Sequence, residues 1–449
     1  MKKLLSIHQT PLLLLLISCA FYAAFAYDLQ RTDLLKLISL YGALFFLSWK
    51  IFQLEKQNFR ILLGVAIIFR LIFLFAIPNL SQDFYRFIWD GKLLLEGINP
   101  YLFTPNELII DPPIAGAQAL FNGMGDLSAG NPTNYPPLNQ LLFALAAFLG
   151  GKSILGAVMT LRILIIIADV GIYYFGRKLL RNLNLPENRI FWYLLNPFII
   201  IELTGNLHFE GVMAFFLLAS LYFLHRKKWM TGAILFAGSV LVKLIPLLFL
   251  PLLFRYLKFK KAIAFYGLVG LVMLLFYLPF LSAEFFNNYA SSIGLWFQKF
   301  EFNASLYYLI RWIGFQVHGY NIIQTTGPIL GLLVFLFVLL KASGSKNKNL
   351  PGFLTSMLLS ISVYLFLSTT VHPWYLVTPL LLSIFTRYRF VLAWSLLVIL
   401  SYSAYAHPAF QENLWLIAVE YLVVFGVMGY EIFRSKKAAS LQAAEVNTF

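Results

Sequence analysis

The feature that most constrains this chain is the recurrence, from end to end, of apolar runs of about 16 to 22 residues, such as "PLLLLLISCAFYAAFAY" near its start. A helix needs roughly 20 residues to cross the ~30 Å of hydrocarbon in a bilayer, and here only short links separate one run from the next. Charged residues make up 12% of the 449, against roughly 25% in a soluble domain, while 60% are hydrophobic. The fold class that follows is an all-α polytopic membrane protein, a bundle of 12–14 transmembrane helices. No stretch reads as a separate soluble domain, so residues 1–449 form one unit.

The net charge of +15 would suggest nucleic acid in a soluble protein. Position decides otherwise. Of 34 Lys and Arg residues, 24 fall in eight clusters between apolar runs: Lys2, Lys3; Lys50, Lys56, Arg60; Arg177, Lys178, Arg181, Arg189; Arg226, Lys227, Lys228; Arg255, Lys258, Lys260, Lys261; Lys341, Lys346, Lys348; Arg387, Arg389; and Arg434, Lys436, Lys437. This is the positive-inside pattern, which makes membrane lipids the surroundings and leaves no role for nucleic acid. Cys19 is the single cysteine, so no intramolecular disulfide forms. "LISC" imitates a lipoprotein cleavage box, but the apolar run continues to Tyr27 and reads as an uncleaved span.

Placing every basic cluster in the cytoplasm predicts spans at about 10–27, 33–52, 60–78, 154–176, 190–205, 209–225, 229–243, 245–257, 262–281, 322–341, 351–369, 373–387, 389–406 and 413–433. Both termini then lie on the cytoplasmic side of the plasma (inner) membrane. "PPLNQLLFALAAFLGG" (136–151) must not cross, because crossing would put the basic link after it outside. It reads as a juxtamembrane or re-entrant helix, which makes 79–153 one long extracytoplasmic loop. Residues 282–321 form a second, and 434–449 a cytoplasmic tail with no periodic pattern at its end. The short runs 229–243 and 245–257, divided by "KLIP", read as two spans or as a dipping pair.

On this topology the outer face gathers the polar residues that are not orientation signals. Asp83, Arg86 and Asp90 are three and seven positions apart and share one face of a helix, with Phe84, Phe87, Ile88, Leu93 and Leu94 resting in the membrane interface. The plainer alternative is a solvated helix whose exposed ion pair contributes ~0.5 kcal/mol. Within the spans, Arg162 and Asp169 lie two turns apart and are read as a pair, while Arg70 meets Glu420 or a lipid phosphate. Lys243, at the turn of the dipping pair, serves no orientation purpose. With Arg311 and His372 it forms a cationic group suited to a lipid-linked phosphate.

Four motifs, in order, resemble one family. "QDFYRFIWDGKLLLEGINPY" looks like a first external loop ending in Leu-Leu-x-Gly-x-Asn-Pro-Tyr, and "NYPPLNQLLFALAAFLGG" a Tyr-Pro-Pro-Leu segment. "LVKLIPLLFLPLLF" looks like a lysine-proline dipping segment, and "VHPWYLVTPLL" a late His-Pro-Trp-Tyr turn. Together they resemble the GT-C class of integral-membrane glycosyltransferases, especially bacterial mannosyltransferase-like enzymes that use polyprenyl-phosphate sugars. The resemblance implies an inverting transfer of a hexose, with mannose the expected sugar, from a polyprenyl-phosphate donor to a hydroxyl of an extracytoplasmic glycan or glycolipid.

In that family the first acidic residue of the loop is the catalytic base, and the matching position is Asp83, with Asp90 competing. Arg86, Asp90, Tyr101 and Glu210 would orient the base or bind acceptor. Lys243, Arg311 and His372 would hold the donor phosphate, and Tyr135, Trp374 and Tyr375 would line the groove. No cofactor is implied, and a metal held by Asp83, Asp90 and Glu210 is the less favoured arrangement. The rivals are a transporter or flippase, a polymerase using a diphosphate donor, and a scaffold subunit. The absence of an internal repeat and the one-sided polar residues favour the enzyme.

Overall fold

The structure is a computed structural model that describes residues 9–407 and 410–446. Lys2, Lys3 and residues 447–449 of the tail lie outside the described residues. In chain order the principal helices are α1 (Gln9–Tyr27), α2 (Leu34–Glu55), α3 (Phe59–Ile72), α4 (Asp83–Leu95), α5 (Pro137–Gly150), α6 (Ile154–Asn182), α7 (Glu210–His225), α8 (Trp229–Val242) and α9 (Leu250–Leu257). They continue with α10 (Phe259–Tyr277), α11 (Ala283–Gln298), α12 (Leu306–His318), α13 (Ile323–Ser343), α14 (Leu350–Leu367), α15 (Val377–Ser383), α16 (Phe390–Leu397) and α17 (Leu414–Val446). Among the described residues the only extended pairing is a single bridge, Phe302 to Thr370. The tail expected beyond Arg434 continues α17 as far as Val446.

Among the described residues seven helices are long and apolar enough to cross a membrane: α1, α2, α6, α10 with its extension to Phe280, α13, α14 and the first part of α17. Pro197–Gly205 and α7 make an eighth together, bent by 114° at their junction. The other apolar segments are shorter, because the chain interrupts them with turns that hydropathy does not register. Lys243 is extended (φ −150°, ψ 144°) and ends α8 after 14 residues. Residues 136–151 form the 14-residue α5, opened by Pro137 in its first turn.

Interior charges tie these elements together. Arg70 of α3 pairs with Asp169 of α6 at 2.7 Å and donates to the Leu194 carbonyl at 2.8 Å, with both side chains almost wholly buried. Arg162, expected beside Asp169, instead donates to four backbone carbonyls: Thr204 and Gly205 at 2.7 and 3.1 Å, Leu74 and Ala76 at 3.0 and 2.9 Å. Those carbonyls lie just past the end of α3 and at the bend before α7, where helical bonding leaves acceptors unused. Glu420, the partner expected for Arg70, accepts from Trp394 at 2.8 Å and from Asn303 at 3.3 Å.

α4 also departs from expectation. It is packed in protein, not laid on the membrane: Phe84, Phe87, Ile88, Trp89 and Leu93 are all at most 2% exposed. Phe87 stacks on Phe143 of α5 with centroids 4.4 Å apart. Gly91 makes the approach possible, since a Cβ there would lie 2.3 Å from the Phe143 carbonyl oxygen.

Candidate active site

The polar end of the bundle holds a cavity of ≈ 400 Å³ whose walls include Arg31, Asp83, Tyr135, Lys243, His372, Trp374, Tyr375, Tyr402 and Tyr405. They come from distant parts of the chain, and each is placed by a local device. Asp83 is the first residue of α4, and its N–H donates to Ser81 Oγ at 3.3 Å. Asn79 donates to the Phe25 and Leu29 carbonyls at 2.7 and 2.9 Å, which docks the start of this loop on the end of α1. That contact brings in Arg31, whose guanidinium sits 4.2 Å from the Tyr405 ring centroid.

The two carboxylates of α4 have different fates. Asp90 is fully buried, accepts from Arg86 at 2.7 Å and from Gln140 at 3.0 Å, and does not line the cavity. Arg86 also donates to the Ser128 and Asn131 carbonyls at 2.6 and 2.9 Å, and Gln140 to Thr133 at 3.0 Å. The pair that the plainer alternative left solvated is thus a buried clasp that fixes the loop wall onto α4 and α5. Asp83, half-buried, makes no side-chain hydrogen bond or ion pair among the described residues. Burial pushes its pKa up to about 6, with Glu210 adding to the rise while Lys243 and Arg31 oppose it.

Lys243 bonds Glu210 of α7. Its ammonium also faces the rings of Tyr135 and Tyr375, 5.6 and 5.7 Å from their centroids. The break after α8 is what places it there. Trp374 is sandwiched between two imidazoles, 3.6 Å from His208 and 4.5 Å from His372, centroid to centroid. Burial, with Lys243 nearby, lowers the His372 pKa to about 3. His372 is therefore neutral at pH 7 and adds a polar ring, not the positive charge expected of it.

Two expected residues fall elsewhere. Arg311 pairs with Glu301, lies over the Tyr308 ring at 4.3 Å and is not part of the cavity wall. An arginine on α12, ten residues from a glutamate in the preceding loop, meets that local partner first. Tyr101 is fully buried and donates to the Tyr135 carbonyl at 2.6 Å, so it positions a groove residue without facing the groove. Asp83, Asp90 and Glu210 do not converge, and no group of three His, Cys, Asp or Glu suited to a metal occurs among the described residues.

Arg31, Tyr402 and Tyr405 escaped the sequence reading. Arg31 was legible by the argument applied to Lys243, since it lies in a link between two apolar runs and belongs to none of the basic clusters. The tyrosines sit in an apolar run read as span 389–406, and nothing in that pattern separates a cavity wall from a lipid-facing turn.

Fold and cavity together define a polytopic helical membrane protein with an acid, Asp83, and three cations, Arg31, Arg86 and Lys243, in one cavity wall, of which Arg86 is already paired with Asp90. Residues 21–257 match the profile of the MptA_B family, described as "Alpha-(1->6)-mannopyranosyltransferase, N-terminal domain". The chain belongs to this family, and the match takes in Arg31, Asp83, Glu210 and Lys243. Among curated proteins it is similar to alpha-(1->6)-mannopyranosyltransferase A of Mycobacterium tuberculosis, 23% identical over 57% of this chain and 48% of the relative. It is also similar to alpha-(1->6)-mannopyranosyltransferase B of Corynebacterium glutamicum, 27% identical over 32% of this chain and 23% of the relative. The A protein of that organism is 26% identical over 40% of this chain and 35% of its own length. The matches thus span about half or less of the curated relatives.

Proposed function

We propose that this chain is an inverting mannosyltransferase that moves mannose from a polyprenyl-phosphate donor to a hydroxyl of a glycan or glycolipid at the extracytoplasmic face, with both termini in the cytoplasm. Asp83 carries the reading: it is an unengaged carboxylate in the cavity wall, its pKa raised to about 6, facing Lys243 and Arg31. A group that is mostly ionised at pH 7 yet still able to take a proton suits a general base.

In the proposed step the acceptor oxygen attacks C1 of the sugar from the face opposite the phosphate and loses its proton to Asp83. The new O–C1 bond forms as the C1–O–P bond breaks, and the electron pair leaves with the polyprenyl phosphate. A phosphate leaves as an anion and needs cations more than an acid, a need that Lys243 and Arg31 supply within one cavity. Tyr135, Trp374 and Tyr375 give the sugar its aromatic walls. Glu210 holds Lys243 in place until the phosphate arrives, while Arg86 and Asp90 fix the frame beneath Asp83.

The positive-inside pattern of the basic links supports an extracytoplasmic cavity, where a lipid-linked donor would already be anchored and no nucleotide-binding domain is needed. The deciding experiment is transfer by the purified protein from defined polyprenyl-phosphate mannose to a mannoside acceptor, with the product's anomeric configuration read by NMR. The proposal requires an α-product from a β-linked donor. Retention of configuration, or movement of lipid-linked sugar across liposomes without any transfer, would sink it.

A further inference from the structure

We infer that the end of the bundle opposite the active-site cavity carries a built site for the phosphate of an anionic phospholipid. A second groove lies there, and its walls include Arg255, Lys258 and Lys348, three cations from two stretches of chain, with Phe254, Phe259 and Leu339. No acidic residue lines it, and none of the three cations makes an ion pair among the described residues. The apolar rings are open: Phe254, Phe259 and Leu339 are 43, 64 and 42% exposed. Cations beside exposed aromatic and aliphatic surface match a lipid's charged head and the start of its chains.

The two cavities share an element that orders them. α13 lines the first with residues from Gly327 to Val334, and the second with Leu339 to Ser343 at its C-terminal end, along a helix of 21 residues that is about 31 Å long at ~1.5 Å per residue. The second groove therefore lies toward the other end of that helix, and none of its lining residues belongs to the first.

Lys258 makes the site more than a patch of surface charge. Its backbone has φ 65° and ψ 159°, a region almost confined to glycine, yet the residue there is a lysine. It is also the N-cap of the 19-residue α10, where it makes no side-chain cap bond, and no acid occupies the first turn. A helix start normally takes an acceptor such as Ser or Asp, because its free N–H groups and dipole carry partial positive charge. A cation at that position adds to the same sign. The arrangement becomes favourable when an external anion sits between the helix start and the three side chains, as phosphates do at other helix N-termini.

The test is native mass spectrometry of the full chain released from detergent with equimolar phosphatidylglycerol and phosphatidylcholine. The variant is R255Q/K258G/K348Q, in which glycine keeps the backbone at 258 unstrained. The control is K50Q/K56Q/R60Q, which removes equal charge from another basic link. Wild type and control should retain phosphatidylglycerol preferentially, and the variant should lose that preference, with about fivefold in affinity lost per cation. A large excess of inorganic phosphate should leave the bound lipid in place. The inference is overturned if the variant keeps the wild-type preference, if the control loses as much, or if inorganic phosphate displaces the lipid.

Discussion

The bundle interior and the active-site cavity use the same side-chain chemistry in opposite ways. Inside, Arg70 with Asp169, Arg162 with four carbonyls, and Arg86 with Asp90 are all buried charges with named partners. In the cavity, Asp83 has no side-chain partner among the described residues, and Lys243 keeps open space beside its bond to Glu210. The difference teaches how to separate structure from function in a membrane protein. A buried charge enclosed with its counter-charge holds the fold even where single atoms such as Arg70 Nη2 and Asp169 Oδ1 stay unmatched, because breaking it strands its partner at a cost of about 3–5 kcal/mol. A charge that faces space with bonding capacity left over is available for a ligand.

The comparison is tested most severely at Asp83. Asp83→Asn should cut transfer by about 10²- to 10⁴-fold while the purified protein remains folded. The same substitution should raise the unfolding temperature at neutral pH. A carboxylate whose folded pKa is raised favours the fold below its unfolded pKa, near 3.9, and that contribution is lost as pH rises through about 6. A neutral amide escapes the loss. An Asp83→Asn protein with full turnover, or one that unfolds, would erase the distinction drawn here.

Interior pairs should behave the other way. Arg70→Ala or Arg86→Ala should destabilise the protein by about 3–5 kcal/mol, seen as a lowered thermal midpoint or failure to purify. Residual activity per folded molecule should stay well above that of Asp83→Asn.

Lys243→Gln tests the middle ground. Donor KM should rise about tenfold, the equivalent of one charge-assisted contact to phosphate. In the wild type kcat/KM should fall as pH drops through about 6, since the base must be ionised. Removing a cation that lowers the Asp83 pKa must move that inflection upward. A downward or absent movement would separate Lys243 from Asp83. At the small end, Arg311→Gln should alter transfer by less than about twofold, because its partner Glu301 is a surface-loop residue outside the cavity.

Much of this architecture was readable in the sequence, and the limits were physical. Apolar period and basic links located the helices, and the motif order singled out Asp83, Lys243, Tyr135, Trp374 and Tyr375, all of which line one cavity. What could not be read was pairing at a distance. Arg70 and Asp169 are 99 positions apart, and Asp90 meets Gln140 across 50. Nothing local marks either contact. Neutrality of His372 was equally hidden, since a histidine's charge depends on burial and neighbours and not on its own spacing.

Arg162 also bears on how such a chain assembles. As α6 enters the membrane, the Leu74 and Ala76 carbonyls already exist, because they were synthesised earlier, whereas Thr204 and Gly205 follow about 40 residues later. The guanidinium can thus dock on the earlier segment first and wait there as a template. The bend before α7 would then take its shape against that template, and the order of synthesis would double as an order of construction. An insertion intermediate truncated before residue 197 should already hold α3 against α6, with half of Arg162's bonds made and the other half presented to the chain still to come.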